Sequence, residues 1–255
     1  MPKNEDKESV YDRMTRLRQD GRKQIAVLID PDKTDLNALD SLSATILSAQ
    51  PDYILVGGSQ VGMPLDAIVL GLRRLTAMPI VLFPGNAAQV TPHAAAILFL
   101  SLLSGRNPEF LIGQQVAAAR KVRTSGIEVI PTAYLLIDGG TLSAVERMSG
   151  TAPLKSEDIS TAVDTAVAGE LMGMKVVYLE AGSGAKNHVP SQTISAVRQN
   201  TESLLVVGGG LKSVADIEAV LNAGADIVVV GNHFERHPED MKPFCAMVHN
   251  HKSAL

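Results

Sequence analysis

The chain has 255 residues, enough for one large domain or two small ones. Its hydrophobic fraction is 45%, but aromatics make up only 4% and Trp is absent, so a core must be built from Val, Ile, Leu, Ala and Met. A net charge of −4 with both signs mixed lacks the basic footprint of a nucleic-acid binder, and a lone cysteine, Cys245, excludes an internal disulfide and suits a reducing cytoplasm.

The N-terminal stretch, "MPKNEDKESVYDRMTRLRQDGRK", is strongly charged and has no apolar segment of the kind a secretory signal needs. Val10, Met14 and Leu17 recur there at helical spacing, which predicts an amphipathic helix packed on the body as an N-terminal extension. The longest apolar run, "AAAILFL" at 94–100, is too short to span a bilayer.

Short apolar, β-branched runs follow one another along the chain. They fall at Ile25–Ile29, Tyr53–Val56, Ile80–Phe83, Ile97–Leu100, Glu128–Ile130, Val176–Leu179, Leu204–Val207 and Ile227–Val230. They are continuous rather than alternating, the mark of parallel strands buried on both faces. Helix-like stretches separate most of them, most clearly at 35–49, 108–123, 156–173 and 213–225. Ser156 with Asp158, and Ser213 with Asp216, predict helix caps with acidic first turns. Eight strands alternating with helices over this length predict a single (βα)8-barrel domain, a TIM barrel, spanning 1–255. A doubly wound open sheet is the rival, but no GxGxxG follows the first strand.

Two segments break the alternation. Residues 84–94, "PGNAAQVTPHA", hold two prolines and no helical apolar stripe, so the outer helix after strand three is expected to be replaced by a loop or strand. Residues 133–155, after strand five, are long for a βα loop and make a candidate lid.

In a barrel, chemistry sits at the C-terminal ends of the strands. Those positions read Asp30; Gly57, Gly58 and Ser59; Pro84, Gly85 and Asn86; Thr132; Glu180; Gly208, Gly209 and Gly210; and Gly231 and Asn232. Glycines at the ends of strands seven and eight let backbone N–H groups approach an anion, and helix N-termini add dipole attraction. Gly182, Ser183 and Gly184, after strand six, close a third side. Together these loops predict a phosphate site. Asp30, at the tip of strand one, is costly to desolvate without a partner, and a hard divalent ion such as Mg²⁺ suits it. Asp32 is read as an Asx turn or helix start. Lys33, Lys186 and Lys212 lie in loops and suit phosphate or diphosphate charge.

Glu180 stands beside the predicted phosphate, where a carboxylate is a poor binding group because the charges repel. It is read as a general base or an acceptor for a substrate hydroxyl. The alternative is a salt bridge to Lys175 or Lys186. The "HNH" at 249–251 is expected to be solvated, and no metal motif of the HExxH kind occurs.

The ordered set "LIDPDK", "YILVGGSQ", "PIVLFPGN", "FLSLLSGRNPEFLIG", "YLEAGSGA", "VVGGGLKS" and "VVVGN" resembles the geranylgeranylglyceryl phosphate synthases and their heptaprenylglyceryl relatives, from about residue 20 to 235. The resemblance implies a modified TIM barrel with one helix replaced, and a Mg²⁺-dependent prenyltransferase. Such an enzyme joins sn-glycerol 1-phosphate to a polyprenyl diphosphate through an ether and releases diphosphate, for membrane lipid biosynthesis. It places the metal on Asp30 and Ser59. Glycerol phosphate falls on Tyr178, Leu179, Glu180, Ala181, Gly182, Ser183, Gly184, Gly209, Gly210, Gly231 and Asn232, and the base on Glu180. Leu28 stands where heptaprenyl-type members carry a lysine, which points to the larger geranylgeranyl-type group and a C20 donor. Many members of that group are hexamers, so a homo-oligomer is expected, in the cytoplasm, touching a membrane at most peripherally. The rivals are a phosphosugar isomerase or lyase on the same barrel, which needs a second acid–base group, and a non-catalytic phosphate binder, which needs neither Asp30 nor Glu180.

Overall fold

A computed structural model describes residues 8–35, 39–58 and 65–251. Eight parallel strands close into a barrel in sequence order. They are β1 (Gln24–Ile29), β2 (Tyr53–Val56), β3 (Ile80–Leu82), β4 (Ala96–Leu102), β5 (Glu128–Leu136), β6 (Val176–Glu180), β7 (Leu204–Gly208) and β8 (Ile227–Val230). β8 pairs back onto β1, Val27 opposite Val230, so the sheet has no edge.

The continuous apolar runs have the cause the pattern predicts. Every residue of β6, β7 and β8 is buried, because one side faces the barrel interior and the other faces helices. Ala26, Leu55, Leu98, Ile130, Tyr178 and Val206 belong to the interior layer. Ile25, Ile54, Leu135, Leu179 and Val207 belong to the layer beneath the helices.

The outer helices are α2 (Leu39–Ala49), α3 (Leu65–Leu75), α4 (Gln114–Ser125), α6 (Ile159–Leu171), α7 (Ser191–Asn200), α8 (Val214–Asn222) and α10 (Met241–Asn250), with the N-terminal α1 (Val10–Gln19) and the short α5 (Ala144–Ser149) and α9 (Asn232–Arg236) besides. Ser213 and Asp216 form a reciprocal capping box at α8, as their spacing predicts. At α6 the cap is Asp158 rather than Ser156: Asp158 Oδ1 accepts the Thr161 N–H, while the Ser156 hydroxyl turns to Glu157.

α1 closes the N-terminal mouth of the barrel. Its Val10 and Met14 join the interior layer. The Glu128 carboxylate, at the start of β5, accepts the N–H groups of Val10 (2.6 Å) and Tyr11 (3.0 Å). An acid at a helix N-terminus satisfies two orphan donors and complements the dipole. The opposite mouth stays open.

No helix lies between β3 and β4, as residues 84–94 predict. The consequence is a gap in the outer ring. Phe99, on the outward face of β4, remains partly exposed where a helix would otherwise cover it. β5 runs to Leu136, six residues beyond the expected Ile130, so Thr132 is a buried mid-strand residue and not a strand tip. The long segment after β5 accordingly starts later and carries α5.

At the far end, His249 is not merely solvated. Its Nε2 lies 3.1 Å from Oδ2 of the buried Asp52, tying α10 to the turn before β2. Among the described residues no helix is long and apolar enough to cross a membrane.

Candidate active site

A cavity of about 910 Å³ occupies the open, C-terminal mouth, large enough for a ligand of many heavy atoms. Its lining divides into three zones.

The first is the carboxylate at the tip of β6. Tyr178 and Glu180 alternate with Leu179 along the strand, so both point inward while Leu179 joins the layer beneath the helices. Glu180 is only 6% exposed. Its Oε1 accepts the Gly182 N–H at 2.7 Å. Burial pushes its pKa up to about 7, while the Gly182 amide and the nearby Tyr178 hydroxyl favour the ionised form and limit the rise. That hydroxyl is buried beside the carboxylate without closing a well-formed hydrogen bond of its own. Among the described residues no lysine pairs with Glu180: Lys175 lies over the Tyr11 ring at the other pole, and Lys186 packs near Gly140. A buried carboxylate that titrates near neutrality is suited to proton transfer.

The second zone is made of the glycine loops. Ser183, Gly184, Gly209, Gly210, Gly231 and Asn232 all line the cavity. Gly209 has φ +79°, and a Cβ there would run into Glu180 Oε1 and lie 2.7 Å from the Gly182 oxygen. Glycine at this position lets the loop after β7 close against the loop after β6. The Asn232 amide reaches the Gly184 loop, 3.3 Å from where a Cβ would stand. Three loops therefore converge on one patch of backbone. Leu179 and Ala181 do not join it: their side chains belong to the outer layer.

Asp30 flanks this patch across the β1–β8 seam. Its Oδ1 accepts the Asp32 N–H (3.2 Å), capping the one-turn helix Pro31–Lys33. Asp30 thus supplies the Asx turn, and Asp32 stands in the first turn of the short helix, the helix start its position suggests. Its Oδ2 lies 3.2 Å from Lys33 Nζ. Gly58 lies so close that a Cβ there would be 3.0 Å from Oδ1. Ser59 lies outside the described residues. No group of three His, Cys, Asp or Glu side chains assembles a metal cage among the described residues. One carboxylate open to the cavity instead fits the manner in which Mg²⁺ binds, with few protein ligands and the rest from phosphate oxygens and water.

The third zone is apolar and was not legible as a site in the sequence. Phe83, Tyr134 and Tyr178 form its floor, with Phe83 stacked on Tyr178 at 5.3 Å and Tyr134 at 5.3 Å from Tyr178. Val90, Ile97, Phe99 and, from α4, Ala118 continue it outward through the gap left by the absent helix. A signal did exist. The chain has four Tyr and five Phe, and Phe83, Phe99, Phe110, Tyr134 and Tyr178, more than half of them, line this one cavity.

Residues 18–248 match the model of the PcrB family. The chain belongs to that family. Among its PcrB-family relatives, a geranylgeranylglyceryl phosphate synthase of Flavobacterium johnsoniae is 45% identical over 228 residues, 89% of this chain and 94% of that one. The protein of the same name from Korarchaeum cryptofilum is 41% identical over 221 residues, covering 86% and 91%. The crystal structure of (S)-3-O-geranylgeranylglyceryl phosphate synthase from Thermoplasma acidophilum, in complex with sn-glycerol-1-phosphate, matches with a TM-score of 0.89 at 30% identity, over 96% of this chain and all of that one.

Proposed function

We propose that this PcrB-family chain transfers a geranylgeranyl group from its diphosphate to the 3-hydroxyl of sn-glycerol 1-phosphate, forming an ether and releasing diphosphate. The observation that carries the reading is the position of Glu180. A buried carboxylate with a pKa of about 7 stands between an amide-lined, glycine-rich patch and an apolar channel. That is the order of parts such a reaction needs: phosphate at one end, prenyl chain at the other, base between.

The backbone amides of the loops after β6, β7 and β8 hold the phosphate of the glycerol substrate. This places the 3-hydroxyl at Glu180, which accepts its proton. The hydroxyl oxygen forms a bond to C1 of the allylic chain as the C1–O bond to diphosphate breaks, and diphosphate leaves with the electron pair. Asp30, with Ser59, would hold a Mg²⁺ ion, which neutralises diphosphate charge when bound. The aromatic floor and the channel past Phe99 and Ala118 take the apolar chain, and exclude water from the reacting carbon.

A phosphosugar isomerase needs a second acid–base group facing the first. Tyr178 lies beside Glu180 and Tyr134 packs against Tyr178, and burial drives both phenols well above their usual range. They suit a proton-holding wall better than a second base.

The test is incubation with sn-glycerol 1-phosphate, Mg²⁺ and geranylgeranyl diphosphate, followed by lipid extraction. An ether-linked prenylglyceryl phosphate should appear with one diphosphate per product. No extractable product from donors of any length would overturn the reading.

A further inference from the structure

Lys33 occupies the point where the charges of the donor end converge. Its Nζ donates to Asn232 Oδ1 (3.0 Å). It lies 3.2 Å from Asp30 Oδ2 and 3.3 Å from Glu235 Oε2. These oxygens come from both sides of the β1–β8 seam, Asp30 at the tip of β1 and the other two from α9. All four residues line the cavity.

An ammonium is a compact point charge with three donors on a flexible stem. It satisfies this cluster without being locked into it. The Lys33 side chain is 45% exposed, and an ion pair so open to water holds weakly. The pairing is therefore exchangeable. It also conflicts with a metal on the same carboxylate, since two cations at contact distance from one oxygen pair repel each other.

We propose that Lys33 is a diphosphate-binding residue held in reserve on Asp30. With no donor bound, its ammonium is shared between Asp30 and Glu235 and offsets one of their two negative charges. When the donor enters, Lys33 gives up Asp30 to the metal and turns to the diphosphate oxygens, a short swing for a stem anchored one helical turn away. This inference rests on the donor-site reading above. It has a second consequence: Asp30 takes up a bare divalent cation poorly, so metal loads together with diphosphate.

The probes are Mn²⁺ alone, and inorganic diphosphate in the presence of Mn²⁺, titrated into the full chain with free Mn²⁺ read by electron paramagnetic resonance. Lys33→Met keeps the stem and removes the charge. Mn²⁺ alone should bind about two- to five-fold more tightly, the size of one exposed ion pair. Diphosphate should bind roughly ten-fold or more weakly, the loss of a charge-assisted hydrogen bond. Lys33→Arg should keep most of the diphosphate affinity. The melting temperature of each variant reports an intact barrel. A folded Lys33→Met protein with wild-type diphosphate affinity overturns the proposal. Wild-type protein that takes up neither Mn²⁺ nor diphosphate overturns the donor-site reading, and this proposal with it.

Discussion

Glu180 on β6 lies in register with Gly208 on β7, and the bare backbone of Gly208 is what makes room for the carboxylate. A Cβ there would sit 3.1 Å from Glu180 Oε2 and would run into the Tyr178 hydroxyl. Gly208 is buried at the C-terminal end of β7, and Tyr178 is held in place by its stacking on Phe83, so the ring cannot move aside without displacing the aromatic floor.

Gly208→Ala tests that packing. Overfilling a close-packed interior costs about 1–3 kcal/mol. The variant should fold with reduced stability in urea, and its kcat should fall at least roughly ten-fold because Glu180 is pushed from its place. Wild-type turnover in Gly208→Ala would show that the carboxylate's position is not critical.

The pH profile follows from the burial of Glu180. The acid is raised from 4.5 to about 7. A base must be ionised, so kcat/KM should rise with pH through about 7. Stability runs the other way. Between pH 4.5 and 7 the folded chain holds a proton that the unfolded chain has released. The contribution of this group is fully present below the unfolded pKa and is lost as pH rises through the folded one, on the order of 3 kcal/mol. Urea unfolding at pH 5 and pH 8 should therefore show a steeper decline in wild type than in Glu180→Gln.

The barrel was legible because its chemistry is repetitive. Strands buried on both faces read as unbroken apolar runs, and each of the eight appears in the structure. The apolar run of β5 ends at Ile130 in the sequence because Pro131 and Thr132 interrupt it. In the barrel, Pro131 forfeits one N–H yet keeps its place opposite Phe99, and the strand continues to Leu136. Of the site, the strand-tip residues Asp30, Glu180, Gly209, Gly210, Gly231 and Asn232 could be read from position alone, and they meet at one mouth. The apolar channel could not, because it is made by an absent helix and by residues far apart in sequence, such as Val90 and Ala118. Nor could Lys33 be matched to its partners 199 and 202 positions away.

One glycine has a different meaning in three dimensions. Gly210 has φ +71°, and a Cβ there would collide with the backbone of Asn187. A Gly210→Val variant therefore shifts the loop itself, so a rise in KM for glycerol phosphate would come with a lower melting temperature rather than with an intact fold.

Asp30→Asn keeps the shape and the cap, since an amide oxygen can still accept the Asp32 N–H. The melting temperature should change little. Turnover should be weak with both substrates saturating, and the response to added Mg²⁺ should be displaced to higher concentration. Unchanged Mg²⁺ dependence would remove Asp30 from the metal site.

Ala118→Phe narrows the channel at the wall contributed by α4, where Ala118 lines the cavity. Filling it should raise KM for the C20 donor at least several-fold and spare shorter allylic donors. Affinity for glycerol phosphate should not change. Equal effects on short and long donors would place the chain elsewhere. Wild type should in turn prefer C20 over C35 in direct competition.

Glu180→Gln is the most direct measurement of the central claim, that this carboxylate takes the proton from the attacking hydroxyl. Gln keeps size and reach and removes basicity. General-base catalysis contributes roughly 10²–10⁴-fold, so kcat should fall by about that factor. Glycerol phosphate should bind at least as tightly, because a negative charge beside the phosphate is gone. Thermal stability at pH 8 should be equal or higher, since no lysine among the described residues pairs with Glu180 and a buried charge is removed. A folded Glu180→Gln enzyme that turns over at close to the wild-type rate would contradict the account.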